Sequence, residues 1–307
     1  MSELTGIKYI SRENIDTAKW DACIDWGGNG LIYAYSFYLD AMAENWDALV
    51  LDDYNAVMPL TWKKKYGIHY LYQPFLCAQL GVFGELVTEA ITGKFLQSVP
   101  GKFKFIEIFL NSGHISAIPS EYTILRNNYE LDLAKPYAEL YQLYNENTKR
   151  NIKKAQEEGY TCQKEFDEER VIDLALTQMR IQGHESSGNV NRFRNAYSVL
   201  VHKKMATTYG VFSAQNELMA SCIFFFSHNR AYYILVGNHP DGRATGASHF
   251  LIDGFIKDHA GRKMILDFEG SDIPNLARFY DGFGAVQLVY PGIRLNRLPW
   301  YLKWLKK

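Results

Sequence analysis

The apolar and polar positions of this chain switch repeatedly between a helical and a strand-like period, and the switches trace two similar courses. In the first half, Trp20 and Ile24 share one helix face within residues 16–24, with Asp16 placed to cap the start. The WGGNG run at 26–30 reads as a turn. Phe37, Tyr38, Ala41 and Met42 then recur at helical spacing within 35–45, with Ser36 as the cap. Next the period falls to two. Residues 48–51 and 56–62 read as the arms of a β-hairpin around the DDYN turn at 52–55, with Pro59 at an edge or a bulge. Lys63, Lys64 and Lys65 before Gly67 mark a solvated hairpin tip, and 68–72 is an aromatic strand. A helix over 86–96, a strand over 103–109 and the entry to another strand at 122–131 follow.

The second half opens with LDLAKP at 131–136, leading into a helix through Tyr144. A helix over 147–158 stops at Gly159, and another over 168–182 places Val171, Leu174, Ala175 and Gln178 on one face. A polar loop at 184–189 precedes a helix over 193–205. Strands at 209–212 and 218–226 form a hairpin about the turn at 214–216, and a third strand follows at 231–236. The GNHPDG cluster at 237–242 reads as a turn. A helix then runs to His259 with Phe250, Leu251, Phe255 and Ile256 on one face, and Gly261 stops it. After a short strand at 263–268, residues 269–274 lead into a helix whose buried face carries Leu276, Phe279, Tyr280 and Phe283. Residues 48–72 and 210–236 have similar profiles and turn spacing, which points to a structural duplication without close sequence repetition. The end, 295–307, mixes Trp300, Tyr301 and Trp304 with Lys303, Lys306 and Lys307, as a docking tail or a loosely held terminus would.

Composition narrows the class. With 307 residues, 47% of them hydrophobic, the chain can bury a substantial core as one large domain or two ordinary ones. A formal charge of -1 argues neither for nor against a nucleic-acid partner. The four cysteines lie far apart without a C-x-x-C, which suits a reducing compartment. The N-terminus lacks a signal-peptide pattern, and the apolar run at 218–226 falls short of the ~20 residues a bilayer span needs. A soluble, cytoplasmic protein is expected.

Absent motifs narrow the chemistry. There is no P-loop signature, no H-E-x-x-H and no G-x-S-x-G, so nucleotide hydrolysis, zinc chemistry and α/β-hydrolase chemistry lack their usual marks, and no metal is expected. His184 beside Glu185 is a histidine-base candidate, although a loop histidine is more often simply solvated. The loop between the strand at 231–236 and the next helix has a more definite use. A glycine-bearing loop that opens a helix presents unpaired N–H groups and the positive end of the helix dipole, which together suit a phosphate. In residues 147–158, Lys149 and Lys153 share one face and Arg150 and Lys154 another. Like charges at that spacing cost a few tenths of a kcal/mol per pair, so either a counter-anion binds there or Glu157, Glu158 and solvent balance them.

Arg243-x-x-Gly246-x-Ser248 resembles the acyl-carrier motif of the GNAT superfamily of N-acyltransferases, and the stretch from Asn275 through Tyr280 to Gly284 resembles that superfamily's later helix. Ser248 stands where glycine or alanine is usual, and Ala285 where phenylalanine is common. The NTKRNIKKA run at 147–155 followed by Gly159, and LDFEGS at 266–271 followed by Tyr280, resemble the Fem-type branch. The likeness covers residues 130–290 by motif and the N-terminal half only through its strand order.

The resemblance implies an α/β (α+β) fold of two tandem GNAT-like domains, each a mixed, largely antiparallel sheet flanked by helices: residues 1–130, then 131–290 with the acyl-carrier motif, then a tail at 291–307 docking on the first. It implies an acyltransferase with acetyl-CoA or another acyl-CoA as cosubstrate and a small-molecule or peptide amine as acceptor. Backbone N–H groups of Arg243, Ala244, Thr245, Gly246, Ala247 and Ser248 would hold the pyrophosphate, with Val236 and Asn275 lining the carrier site. Tyr280 would protonate the departing thiolate. Glu269, at a strand end beside Gly270, is the candidate base for the attacking amine. Blander readings stand beside these: Tyr280 as a core tyrosine, and Glu269 as a cap of the next helix. A second function is a Fem-type transfer from aminoacyl-tRNA to a cell-wall precursor, with Lys149, Arg150, Lys153 and Lys154 touching the tRNA backbone. A third is a non-catalytic descendant that binds a ligand or partner.

Overall fold

A computed structural model describes residues 6–111, 118–181, 187–270, 272–300 and 303. In chain order its first elements are β1 (Ile7–Ile10), α1 (Thr17–Trp26), α2 (Ser36–Met42), β2 (Asn45–Leu51), β3 (Ala56–Lys65), β4 (Ile68–Leu71), β5 (Phe83–Gly84), α3 (Glu89–Gln97) and β6 (Phe103–Phe109). Next come β7 (Thr123–Asp132), α4 (Tyr137–Gln142), α5 (Glu146–Glu157), β8 (Thr161–Lys164), α6 (Glu168–Ile181) and α7 (Ser187–His202). The last are β9 (Ala206–Phe212), β10 (Leu218–Ser227), β11 (Arg230–Asn238), α8 (Pro240–Ala244), α9 (Ala247–His259), β12 (Ile265–Asp267), α10 (Pro274–Asp281) and β13 (Val286–Asn296). Two compact units emerge, one of residues 1–126 with 289–307 and the other of 127–288.

In the first unit the strands lie in the order β1-β2-β3-β4-β6-β13. Every pairing there is antiparallel except β4 with β6. Leu49, Met58, Leu60, Phe103, Ile106 and Ile108 fill one face, and α3 contributes Phe95. Asp16 does cap α1, its carboxylate accepting from the amides of Ala18 and Lys19. Ser36 does not cap α2. It lies inside the helix, where a distant carboxylate takes the capping role: Asp21 accepts from the Ser36 amide at 2.7 Å and its hydroxyl at 2.8 Å. Pro59 pairs with Ala48 of β2. On its other side, β5 meets β3 at Ala56 and Val57, and β4 meets it from Trp62 onward. The missing proline N–H therefore falls in the interval between those two ladders.

In the second unit the order is β8-β9-β10-β11-β12-β7, and again a single pairing, β11 with β12, is parallel. Phe224 of β10 stacks on Phe255 of α9 with centroids 3.8 Å apart, at the centre of a core that includes Leu251, Ile252, Ile256 and Phe283. α7 begins at Ser187, earlier than the expected start near 193, because its buried stripe already starts at Val190 and continues through Phe193, Ala196, Tyr197 and Leu200. The histidine-base candidate at 184–185 lies outside the described residues, as does most of the segment after Trp300. The expected turn at 237–242 is not a turn. Gly237 and Asn238 complete β11, and Pro240 starts α8 with His239 as its cap. Gly237 is needed there because a Cβ would come within 2.8 Å of the backbone of α6.

The described residues contain a mixed α/β fold with largely antiparallel strands flanked by helices, as the GNAT resemblance implied. Among them no helix is long and apolar enough to cross a membrane.

Candidate functional site

The parallel ladder between β11 and β12 is short. It joins Arg230 to Ile265, Ala231 to Leu266 and Tyr232 to Asp267, and there β12 ends. β11 continues through Tyr233 to Asn238, still paired on its other side with β10, after a register break opposite Ile223 and Phe224. A gap therefore opens beyond Asp267, and an extended backbone bordering a gap is a template for an extended amide-bearing ligand.

Glu269 sits at the head of this gap. It is half-buried, and its backbone has φ +65, followed by Gly270 at +78. Two consecutive left-handed residues redirect the chain, and Gly270 is obligatory because a Cβ there would lie 2.4 Å from the carbonyl oxygen of Asn127. Burial pushes the Glu269 carboxyl well above the usual carboxylate range. The cap of α10 is Ile273, so the reading of Glu269 as that cap falls. Tyr280, buried on α10, stacks against Phe268 with centroids 4.6 Å apart and meets Tyr129 at 5.8 Å. Burial, and then the nearby charge of Glu269, raise its phenol well above its ordinary value. The Tyr280 phenol thus lies within reach of the Glu269 charge.

The Arg243–Ser248 stretch takes a more ordered form than a bare loop. The amides of Arg243 and Thr245 bond to the carbonyls of His239 and Asp241. Lys154 of α5 donates to the Ala244 carbonyl at 2.9 Å, and the Thr245 hydroxyl lies 2.9 Å from that of Tyr160. Gly246 has φ +83 and packs so closely that a Cβ would sit 2.2 Å from the Asn151 carbonyl oxygen. Beyond it, the first turn of α9 presents the amides of Ala247, Ser248 and His249, which have no partner within their own helix. The Ser248 hydroxyl donates to Asn238 at the end of β11. Arg243 and Ala244 are exposed, and Val236 pairs with Cys222 in the sheet. Asn275 is exposed on the first turn of α10.

One residue links these parts and carried no sequence signal. His249, in the first turn of α9, meets Phe279 edge-on at 4.7 Å and Phe283 at 5.9 Å, which brings the carrier loop and the Tyr280 helix together. Burial lowers its pKa to about 4, so the ring is neutral at physiological pH.

A second set missed in the sequence lies behind Glu269. The half-buried Arg230 of β11 donates to Asp267 at 2.8 Å and to Glu130 of β7 at 2.5 Å. Asp267 is 3% exposed, and its other oxygen accepts the Glu269 amide at 2.9 Å. Burial works against the Arg230 charge, but the carboxylates of Asp267 and Glu130 hold it protonated. Burial, with the charge of Asp267, outweighs that arginine at Glu130 and raises its carboxyl.

The cations of α5 are largely spoken for. Lys149 lies 3.3 Å from Glu146 and Lys153 3.7 Å from Glu157. Arg150 donates to Asn147 at 2.8 Å, and Lys154 is bound to Ala244. Among the described residues no group of three His, Cys, Asp or Glu could hold a metal.

Residues 144–272 match the acetyltransferase (GNAT) domain family. No curated sequence matches the chain. Among solved structures, FemX is similar with a TM-score of 0.65 at 13% identity, covering 97% of this chain and 99% of its own. A conserved protein of unknown function from Bacteroides thetaiotaomicron VPI-5482 is similar at 0.60, with 12% identity and coverage of 94% and 99%. L-PGS from Bacillus licheniformis gives 0.52, with 12% identity and coverage of 94% and 95%. At these identities the likeness is one of fold, and it extends over nearly the whole chain.

Proposed function

We propose that this chain, whose residues 144–272 match the GNAT domain family and whose fold is similar to that of FemX, is an N-acyltransferase that moves an acyl group from an acyl-CoA, acetyl-CoA foremost, to an amine. The observation that carries this reading is the end of the β11–β12 ladder at Asp267, with Glu269 just past it and Tyr280 stacked on Phe268 beside it. An extended carrier arm would add to the free side of β11, which aims its thioester at that pair and its phosphates toward the first turn of α9.

In the reaction the amine nitrogen attacks the acyl carbon, a C–N bond forms and the C–S bond breaks. Glu269 accepts the proton released by the nitrogen. Its raised pKa makes it a stronger base than an ordinary carboxylate, and one closer to the working pH. Tyr280 fits the role of hydrogen-bond donor to the departing sulfur better than that of full proton donor. A thiol titrates near 8.5 and a phenol near 10, roughly 1.5 units apart, and burial widens that difference. The thiolate therefore leaves stabilised by the phenol and takes its proton from solvent.

A second reading, transfer from aminoacyl-tRNA to a cell-wall precursor, is favoured by the whole-chain likeness to FemX. It is disfavoured by α5, where three of the four cations meet Glu146, Glu157 or Ala244. The test is thermal unfolding with acetyl-CoA, longer acyl-CoAs and charged tRNA, followed by thiol release with a panel of amines. Acyl-CoA is expected to raise Tm through binding to the folded state. No shift at millimolar acyl-CoA, or a shift with charged tRNA alone, would overturn the assignment of the donor.

A further inference from the structure

The left-handed backbone of Glu269 is unfavourable for a residue with a Cβ, and such strain persists only where neighbours hold it. Here the holding group can be identified. Asp267 binds the Glu269 amide with one carboxylate oxygen and Arg230 with the other, while Arg230 is itself anchored by Glu130. The register places Glu130 opposite Asp267 on the neighbouring strand, so three strands converge on one guanidinium. A buried carboxylate that is hydrogen-bonded on both oxygens has little freedom to swing, and the amide it grips belongs to the candidate base.

We infer that Asp267 is a positioning residue, fixed by Arg230 and Glu130, whose grip on the Glu269 amide aims the Glu269 carboxylate into the gap beside Tyr280. The assignment of Glu269 as base rests on the proposed acyltransfer, but the positioning by Asp267 does not. It acts through backbone geometry and would hold whichever donor the protein uses. The charged and titratable groups that the structure ties to Glu269 and its turn are Asp267 of β12 and Tyr280 of α10, with Arg230 of β11 and Glu130 of β7 behind Asp267.

The test compares Asp267→Asn with the parent chain, each with and without Glu269→Gln, by denaturant unfolding across pH. In the parent, Glu269→Gln gains stability relative to Glu269 as pH rises, and the midpoint of that gain reports the titration of Glu269. Asparagine keeps the shape of Asp267 but loses its charge and one acceptor, and both the lost neighbouring charge and a loosened turn lower the midpoint, so the loosening is read from Arg230→Lys, which removes no carboxylate. An unchanged midpoint in a folded Asp267→Asn protein would overturn the positioning role. Arg230→Lys, which keeps the charge but loses the guanidinium Nη1 that Asp267 and Glu130 share, should give a smaller shift in the same direction, and it serves if Asp267→Asn does not fold. Thiol release from acetyl-CoA provides a separate readout, with turnover expected to fall about tenfold or more at unchanged KM for acetyl-CoA. If no acyl-CoA is turned over by the parent, the donor reading fails while the pH midpoint still decides the positioning role.

Discussion

The two units share the order of five strands around a parallel pairing, and they differ in what lies beyond that pairing. Each runs through an antiparallel meander, then a helix, then a strand that returns parallel to the third: β2-β3-β4 to β6, and β9-β10-β11 to β12. In both, the parallel pairing is brief. What happens beyond it is different. In the first unit the chain fills the space next to β6 itself. Leu80 forms a parallel bridge with Leu110, its amide donating to Phe109 and its carbonyl accepting from Asn111, while the Gln73 side chain accepts the Phe109 amide at 2.9 Å. In the second unit β12 stops at Asp267, and Glu269, Tyr280 and the first turn of α9 converge there. The first unit therefore seals with its own chain the place where the second gathers the candidate site residues.

The largest effect expected of that difference is catalytic. Glu269→Gln should lower kcat/KM for thiol release by about 10²–10⁴, the usual worth of a general base, with folding intact. In the parent enzyme kcat/KM should rise with pH through a midpoint above the ordinary carboxylate range, because the base must be ionised and burial has raised its pKa. A flat profile, or a variant that keeps full activity, would remove Glu269 from the mechanism. Tyr280→Phe should cost less, roughly 10- to 100-fold, because it removes a hydrogen bond to the leaving group and leaves the base in place.

Binding should be affected next. Gly246 looked from its motif like the natural position for blocking the carrier, but its tight contact with Asn151 means any larger residue disturbs α5 whether or not a ligand binds there. Arg243 is the cleaner probe, since it is exposed and its backbone is already satisfied within α8. If it faces the phosphates, Arg243→Ala should weaken acetyl-CoA by roughly 1.5–3 kcal/mol, or about 10- to 100-fold in Kd, with Tm of the free protein unchanged. Equal affinity in the two proteins would place the phosphates elsewhere.

How much of this could be read in the sequence follows a physical pattern. Helix faces were legible where an apolar stripe stood alone, as in α9, and so were the hairpins of β2-β3 and β9-β10, whose turn residues are explicit. In α10 the expected buried face holds only in part: Tyr280 is buried, but Leu276 is 42% exposed and Phe283 lies beyond the helix end. β13 was missed because four of its first residues are exposed and its run VQLVYPGIRLN carries Pro291 and Gly292. α8 was missed because PDGRA has the composition of a turn, and only His239 as cap and Pro240 in the first turn make it a helix. At the candidate site, Glu269 and Tyr280 were marked by motif spacing. Arg230, Asp267, Glu130 and His249 were not. They come from β11, β12, β7 and α9, and nothing local distinguishes a charged residue at the end of a strand from one facing water.

A stability effect is expected from the same buried carboxyl. The folded-state pKa of Glu269 lies above its unfolded value, so the folded protein holds a proton that the unfolded chain releases. Its favourable contribution is complete below the unfolded pKa and is lost as pH rises through the folded one. Glu269→Gln, which cannot ionise, should therefore match the parent in acid and exceed its Tm by a few degrees at alkaline pH. Equal Tm values across the range would mean that the carboxylate is solvated in the folded state.

The smallest effect tests the sealed gap. Gln73 occupies in the first unit the kind of space that the second leaves to a ligand, its Oε1 taking the Phe109 amide and its Nε2 bonding the Cys77 carbonyl at 2.7 Å. Gln73→Ala leaves a part-buried amide without that partner, at a cost of about 1 kcal/mol, with a fall in Tm of a few degrees and thiol release unaffected. A loss of activity comparable to that of Glu269→Gln would mean the first unit takes part in the chemistry. Unchanged activity with the lower Tm would assign the sealed gap to stability alone, leaving the second unit as the one in which the chain spends a strained residue, a buried carboxyl and an open strand edge on the same few ångströms.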